Sequence, residues 1–411
     1  MTLRTAISRV FVLAALFVGQ PLLAGDTYGV TALLEAAANH PLVALKQNAR
    51  VVAGHNLGAS EWSRYPTFSV EGLAPLDTTQ TVTVKLEQPV WTAGRIDAQI
   101  ETARLGVDVA SIEVAETLDQ VQGEVISAYA EMWRAQDKIQ AADSNIQALT
   151  ELRGVIERRV TQQVSPESEL ILVEARLNQA RAELAQYQSA RLVSASQLRR
   201  ATRKEVTQVS QLTCNLPEQL SSAEAYQLAL DASANLARLN AQRRVLESAL
   251  DAAQAQRWPT LVAGVQNVSQ QGVFGDSDSQ VYLGFTYQLT DGLSVNSKIA
   301  AAEGDLLGID YEIEDTQALL KQRVDSLLSN FNSFSDQIDS LGALVDVNAS
   351  LIESYRRQYI VGKKSWLDVV NAQREVAQAR GLLVDAQVNA CLNALMLGQL
   401  TGRNYIQELS D

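Results

Sequence analysis

Apolar positions along this chain change period in a fixed order, and the order occurs twice. From Thr31, residues Leu33, Leu34, Ala37, Leu42, Val43 and Leu45 recur at helical spacing, broken at Pro41, where the missing N–H predicts a kink or a restart. Trp62 and Pro66 end that helix. The period then drops to two: Phe68 and Val70 alternate with Thr67, Ser69 and Glu71, and after the turn-like Ala74-Pro75-Leu76-Asp77, Val82, Val84 and Leu86 alternate with Thr81, Thr83, Lys85 and Glu87. Pro89 and Gly94 close the strand region. From Arg95 to about Gln163 the pattern is helical, weakened by Gly106, Gly123 and Gly154 at about 1 kcal/mol each relative to Ala. At 1.5 Å per residue that stretch predicts one helix, or two stacked ones, on the order of 100 Å long. Beyond Ser165-Pro166, Leu170, Val173, Leu177, Ala180, Leu184 and Tyr187 follow alternating steps of three and four, the seam of a coiled coil.

After an aperiodic stretch with Cys214 and Pro217 the order returns. Trp258-Pro259 echoes Tyr65-Pro66, and Leu261, Ala263 and Val265 alternate with smaller or polar residues. Gly272 to Ser279 reads as a loop, and Val281, Leu283, Phe285, Tyr287 and Leu289 form the clearest apolar strand face. Asp291-Gly292 takes the place of Gly94, and a second long helix runs to Val361. Past the turn at Val361-Gly362, Leu367, Val370, Arg374, Ala377, Gly381, Val384, Val388, Cys391 and Leu395 repeat the first seam at an offset of about 197 residues. The expected organisation is a signal segment at 1–24 and a first repeat at 25–203, with strands near 66–73 and 79–88, a long helix at 93–163 and a helix at 167–203. A linker at 204–220 leads to a second repeat at 221–403, with strands near 259–268 and 279–289, a long helix at 293–361 and a helix at 365–401. A tail at 404–411 completes it.

Arg4 and Arg9, the apolar run from Val10 and the small residue Ala24 before Gly25 read as a secretory signal with no lipidation cysteine after it. That run is too short to span a bilayer as a helix, and no other segment is expected to. The formal charge of -13 becomes -15 without residues 1–24, which hold two arginines and no acid, and such acidity argues against nucleic acid as a partner. His40 and His55 are isolated, and no metal-ligand spacing, nucleophile elbow or phosphate loop occurs, so neither an enzyme nor a cofactor site is expected. Cys214 and Cys391 could form one bridge in an oxidising compartment or remain apart. The strand alternation fits either a half-buried sheet in water or lipid-facing strands, with Val82, Val84, Leu86, Leu283, Phe285 and Tyr287 as the lipid-facing side.

Four strands cannot close a membrane barrel, for which about eight is the minimum, but three copies supply twelve. The twice-repeated order, with Tyr359-Ile360-Val361-Gly362 and Leu367-Asp368-Val369-Val370-Asn371-Ala372-Gln373, resembles the TolC family of outer-membrane efflux and secretion channels across essentially all of the chain after the signal. The resemblance implies a mostly α, internally duplicated TolC-like fold that assembles as a homotrimer. In it a 12-strand β-barrel sits in outer-membrane lipid and a coiled-coil helical tunnel extends into the periplasm. It also implies partners, a periplasmic adaptor and an inner-membrane transporter, the latter of ABC type if the cargo is a secreted protein and proton-driven if it is a drug, and a tunnel that closes at its periplasmic end.

Carried onto this sequence, the family's gate falls on Tyr359, Val361, Gly362, Lys364, Asp368 and Asn371, with Val164, Ser165, Pro166 and Glu167 as the first-half tip. Asp368 would contribute one carboxylate per chain to a ring of three, a cation-binding constriction. Read from the residues alone, Asp368 instead caps the helix that follows the turn. Lys364 stands where the family often has a latching Arg, Asn371 replaces a second acid, and Ile171 stands where the first half would carry one. In a family-like fold Cys391 lies roughly 40 Å above the turn, level with the belt where the linker bearing Cys214 passes, which allows a disulfide there; read from its apolar seam alone, Cys391 is a small core residue. The basic runs Arg158-Arg159 and Arg199 to Lys204 read as solvated helix ends. The function expected is the exit duct of a tripartite system for type I secretion of a large protein. The alternatives are the outer-membrane component of a drug efflux pump and, further off, a periplasmic coiled-coil adaptor.

Overall fold

The computed structural model describes residues 27–74, 80–217, 220–270, 277–287 and 289–408; side chains are described except at 270, 277, 289–293 and 407–408. The signal segment, Pro75 to Asp77 of the first turn, most of the Gly272–Ser279 loop, and residues 218–219, 288 and 409–411 lie outside them.

The chain begins with β1 (Thr27–Tyr28), α1 (Val30–Ala36) and a 3-10 turn, then α2 (Pro41–Glu61). The predicted break at Pro41 is a restart: Pro41 takes the first helical position, where its missing N–H costs nothing, and the His40 ring accepts the Leu42 N–H at 3.2 Å. His40 is therefore a buried cap. Next come β2 (Thr67–Leu73) and β3 (Thr81–Trp91). The strand continues through Pro89 instead of closing there, and its register shifts between Pro89 and Trp91, a bulge that absorbs the proline.

α3 (Arg95–Thr161) is one unbroken helix of 67 residues, so the alternative of two stacked helices does not apply. Its buried residues Val121, Val125, Tyr129, Met132, Leu149, Leu152 and Ile156 follow the spacing of a coiled coil, and it packs along α4 (Glu167–Thr202). Residues 204–220, expected to be a plain linker, carry β4 (Gln208–Val209) and β5 (Leu212–Cys214). The helix expected over 221–257 is divided by Ser233 into α5 (Ser222–Ala232) and α6 (Ala234–Ala255); the Ser233 hydroxyl accepts the Leu236 N–H and starts the second piece. β6 (Thr260–Gln270), β7 (Ser277–Thr286), α7 (Leu289–Ile360), α8 (Trp366–Thr401) and β8 (Ile406–Glu408) complete the chain. α7 runs across Asp291-Gly292, which the sequence pattern takes as a boundary.

The long strands form one antiparallel sheet in the order β2-β3-β6-β7, so β2 and β7 are its edges. At mid-height, parallel β1–β4 and antiparallel β5–β8 tie the two ends of the chain to the linker. One core there gathers Val30, Leu33, Tyr129, Met132, Leu198 and Cys391. A second joins Ala225, Leu236, Val324, Phe331, Leu397 and Tyr405. α8 contains an 18-residue window of mean hydropathy 1.2, long and apolar enough to cross a membrane by composition, contrary to the sequence reading. Half of that window is buried, because α8 contributes to both cores.

Candidate functional site

Both long helices end in the same turn. At the end of α7, Gly362 adopts φ +75°, its N–H reaches the Tyr359 carbonyl at 3.0 Å, and the Lys363 N–H reaches the Gln358 carbonyl at 2.9 Å. At the end of α3, Gln163 adopts φ +61°, with Gln163 N–H on Val160 O at 2.9 Å and Val164 N–H on Arg159 O at 2.8 Å. This is the Schellman pairing, which satisfies the last carbonyls of a helix. Gln163 and Gly362 are 199 positions apart, as are Arg203 (φ +58°) and Gly402 (φ +67°) at the ends of α4 and α8, and the caps Pro166 and Ser365 at their starts. The structural register is thus 199 rather than 197. It moves the centre of the first-half tip from Ser165 to Gln163 and sets Glu169, not Ile171, against Asp368. The missing acid of the first half is present.

Ser365 and Asp368 close a capping box: the Ser365 hydroxyl accepts the Asp368 N–H at 3.2 Å and the Asp368 carboxylate accepts the Ser365 N–H at 3.1 Å. The Ser365 hydroxyl and amide hold the Asp368 pKa below the usual carboxylate value, with Lys364 adding to this. Within the chain Asp368 is a helix cap. Lys364 folds back, its ammonium 4.3 Å from the centre of the Tyr355 ring and 4.0 Å from Asp368. Val164, Ile360 and Val361 are exposed at the turns, and Asn371 is half-buried on α8.

Tyr359 is buried with Leu152, Ile156, Val173, Val369 and Val370, a core built from both hairpins. The Arg159 guanidinium lies 4.9 Å from its ring centre and donates through Nε to Ser165 Oγ at 3.2 Å. Burial raises the Tyr359 pKa, Glu169 adds to the rise, and Ser165 and Arg159 oppose it. The Tyr359 hydroxyl and Glu169 Oε2 are both buried without a hydrogen-bond partner of good geometry. Above this core the hairpins are joined by Arg356–Glu151 at 2.8 Å, Gln373–Asn145 at 3.1 Å, and Asp385 with Lys138 at 2.8 Å. Sequence reasoning missed Glu151, Arg356 and Glu169, and Arg159, read as solvated, is instead engaged with Tyr359 and Ser165. The duplicated turn, aligned on its left-handed residue, would have found Glu169; the others are surface charges on long helices with no local signal.

The basic run after Arg199 is engaged within the chain: Arg199 pairs with Glu205, Arg200 with Glu124, and Lys204 lies 5.4 Å from the centre of the Tyr28 ring. Cys214 and Cys391 are joined by a disulfide, with Cα atoms 5.2 Å apart.

In the sheet, register sorts the residues by face. Phe68, Leu86, Val265 and Val281 are successive partners across the four strands, and Ala263 with Leu283 and Leu261 with Phe285 extend that row. Phe68, Leu86, Val265, Val281, Leu283, Phe285 and Tyr287 are all exposed, while Val82 and Val84 on the same face are half-buried. The opposite face aligns Ser69, Lys85, Gln266 and Gln280, and Thr67, Glu87, Gly264 and Tyr282. There Tyr282 lies across Gly264, where a β-carbon would come within 2.6 Å of the ring, and its hydroxyl bonds Glu87. Among the described residues this sheet has an exposed apolar face, a polar face and two edges, β2 and β7, with no neighbouring strand.

Residues 225–403 match the family model described as Outer membrane efflux protein. The chain is 29% identical over 167 residues to the outer membrane efflux protein BepC of Brucella suis, covering 36% of this chain and 37% of that protein. It is 25% identical over 131 residues to the outer membrane protein TolC of Escherichia coli, covering 32% and 27%. The chain thus spans about a third of the length of the relatives it matches in sequence. Among solved structures, CusC superposes with a TM-score of 0.81 at 16% identity over 92% of this chain and 93% of the other. The outer membrane protein VceC of Vibrio cholerae does so with 0.78 at 15% over 92% and 96%. These likenesses carry the fold, whose long helices and four-stranded sheet the two proteins share with this chain.

Proposed function

We infer that this chain, which belongs to the TolC family of outer membrane efflux proteins, is the outer-membrane exit duct of a tripartite export system and passes cargo without chemistry of its own. The observation that carries this reading is the four-stranded sheet, apolar on one face and unpaired at β2 and β7, standing on helices on the order of 100 Å long. An open edge cannot persist in hydrocarbon. Three copies joined β7 to β2 make a closed barrel of twelve strands, within the range of outer-membrane barrels. Val82, Val84, Leu86, Leu283, Phe285 and Tyr287 then face lipid, the row with Glu87 and Tyr282 faces the lumen, and α3, α4, α7 and α8 reach into the periplasm.

The tip turns are the gate in this reading. Tyr359, Val361, Gly362, Lys364, Asp368 and Asn371, with Val164 to Glu167 beside them, sit at the end remote from the sheet. Asp368 supplies one carboxylate per chain to the aperture while it caps α8. Arg159 on Tyr359 and Arg356 on Glu151 are the bonds within a chain that part when the hairpins separate, and a periplasmic adaptor with its inner-membrane transporter drives that separation.

For cargo, we carry forward type I secretion of a large protein with an ABC-type transporter, a reading that rests on the sequence alone. Small-molecule efflux is the second reading, favoured by the family match and by the name of the Brucella relative. Cell fractionation and an unheated gel test the duct: a trimer in the outer-membrane fraction is expected, and a monomer in the soluble periplasmic fraction overturns it. Deleting the gene and measuring drug susceptibility beside the secreted proteome separates the two cargo readings.

A further inference from the structure

The linker between the halves does more than connect them. Its β4 holds the first strand of the chain, with Thr27 opposite Gln208 and Tyr28 opposite Val209. Its β5 holds the last, with Leu212 opposite Glu408 and Cys214 opposite Ile406. Both pairings are two or three residues long, too short to persist on their own backbone bonds. They need a support. For β4 the support is α3: Gln136 both donates to the Val209 carbonyl at 3.1 Å and accepts its N–H at 2.9 Å, and Tyr129 donates to the Ser210 carbonyl at 2.6 Å. On the backbone of 212–214, the side chain in reach among the described residues is Cys391 itself, its Sγ 3.7 Å from the Leu212 carbonyl. β5 is fastened by Leu212, which is buried in the first core, and by the covalent bond from Cys214 to Cys391 on α8. Cys214 also packs against both mid-height cores, while Cys391 is buried in the first.

We propose that the Cys214–Cys391 disulfide is a redox clasp: oxidised, it rivets β5 to α8 and so presents the edge on which the C-terminal strand β8 docks; reduced, it frees β5 and β8 together while sheet and tip stay folded. Opening breaks the Sγ–Sγ bond and consumes two electrons and two protons from a dithiol reductant, which leaves as a disulfide. Closing returns them to a disulfide-form oxidoreductase, the chemistry of an oxidising compartment. β8 is tied further by Tyr405, whose carbonyl accepts the Asn215 N–H at 3.2 Å and whose ring lies in the second core, and by Ile406 against the first core. Release of β5 removes the first of these contacts and loosens the second. The proposal concerns the belt alone, so it stands or falls independently of the duct.

The experiment is amide hydrogen exchange on the full-length protein in detergent, oxidised and after dithiothreitol, with the two thiols counted by titration. A Cys214→Ser/Cys391→Ser double variant gives a second route where the bond resists reduction without denaturant, and reduction of the folded wild type decides where the variant does not fold. Exchange at 212–214 and 406–408 should rise about tenfold or more, with residues 208–209, 260–268 and 355–370 within about twofold of the oxidised protein. Unchanged exchange at β5 and β8 overturns the proposal. So does equal acceleration everywhere, which would make the bond a general stabiliser rather than a local clasp.

Discussion

The guanidinium of Arg159, at the end of the first long helix, lies 4.9 Å from the centre of the buried ring of Tyr359, at the end of the second. This contact joins the two tip turns within one chain. Replacing Arg159 with Ala removes the stacking and the bond to Ser165 together, a loss of about 1 kcal/mol at the tip. The measurable outcome is a larger open probability for the protein in planar bilayers. Tyr359→Phe keeps the ring and discards a hydroxyl that has no partner of good geometry, so its gating should stay near wild type.

The two turns differ in the residue that carries positive φ. Gly362→Ala places a side chain at φ +75° and should cost about 1 kcal/mol although the space around it is open. Gln163→Gly relieves the same strain in the first half, offset by greater freedom of the unfolded chain, and should stabilise by up to about 1 kcal/mol. Denaturation midpoints that move in opposite directions for the two variants are the expected result.

Protonation of Asp368 should weaken the second turn. Its folded pKa is depressed, chiefly by Ser365, so its contribution is complete above the usual carboxylate value and is lost as pH falls through the folded one. The stability gap between wild type and Asp368→Asn should therefore be widest at neutral pH and close in acid, as followed by denaturation across that range.

Glu151 and Arg356 bridge the hairpins at 2.8 Å. Both are partly exposed, so the pair is worth roughly 0.5 kcal/mol. Arg356→Glu sets two acids against each other and should raise the protein's open probability in planar bilayers, and adding Glu151→Arg should restore it. If the double variant gates no better than the single one, the pair does not couple the hairpins.

Long-period features were legible in the sequence, because a helix of 67 residues or a strand of 10 repeats its signal many times. Pro41, the strand faces and Gly362 were read from local chemistry. Shorter features were not: β4, β5 and β8 have two or three residues each, too few for a period to show, and Ala232-Ser233-Ala234 looks helical although Ser233 breaks the helix. The first-half tip was misplaced for a related reason. Gln163 takes the left-handed position without the glycine that marks it, so the turn signal falls on Ser165-Pro166 two residues on, and Glu169 drops out of register with Asp368. The contacts between hairpins join residues 205 to 255 positions apart, which no window along one chain can pair.

Tyr282 lying across Gly264 has a consequence for the width of the proposed passage. The ring belongs to the wall only because nothing projects from position 264. Any side chain placed there lifts the ring, and in a closed assembly each copy does so at the same height. In the proposed barrel, position 264 is therefore a dial on the bore, and it sets the calibre of the proposed exit without touching the proposed gate at the far end.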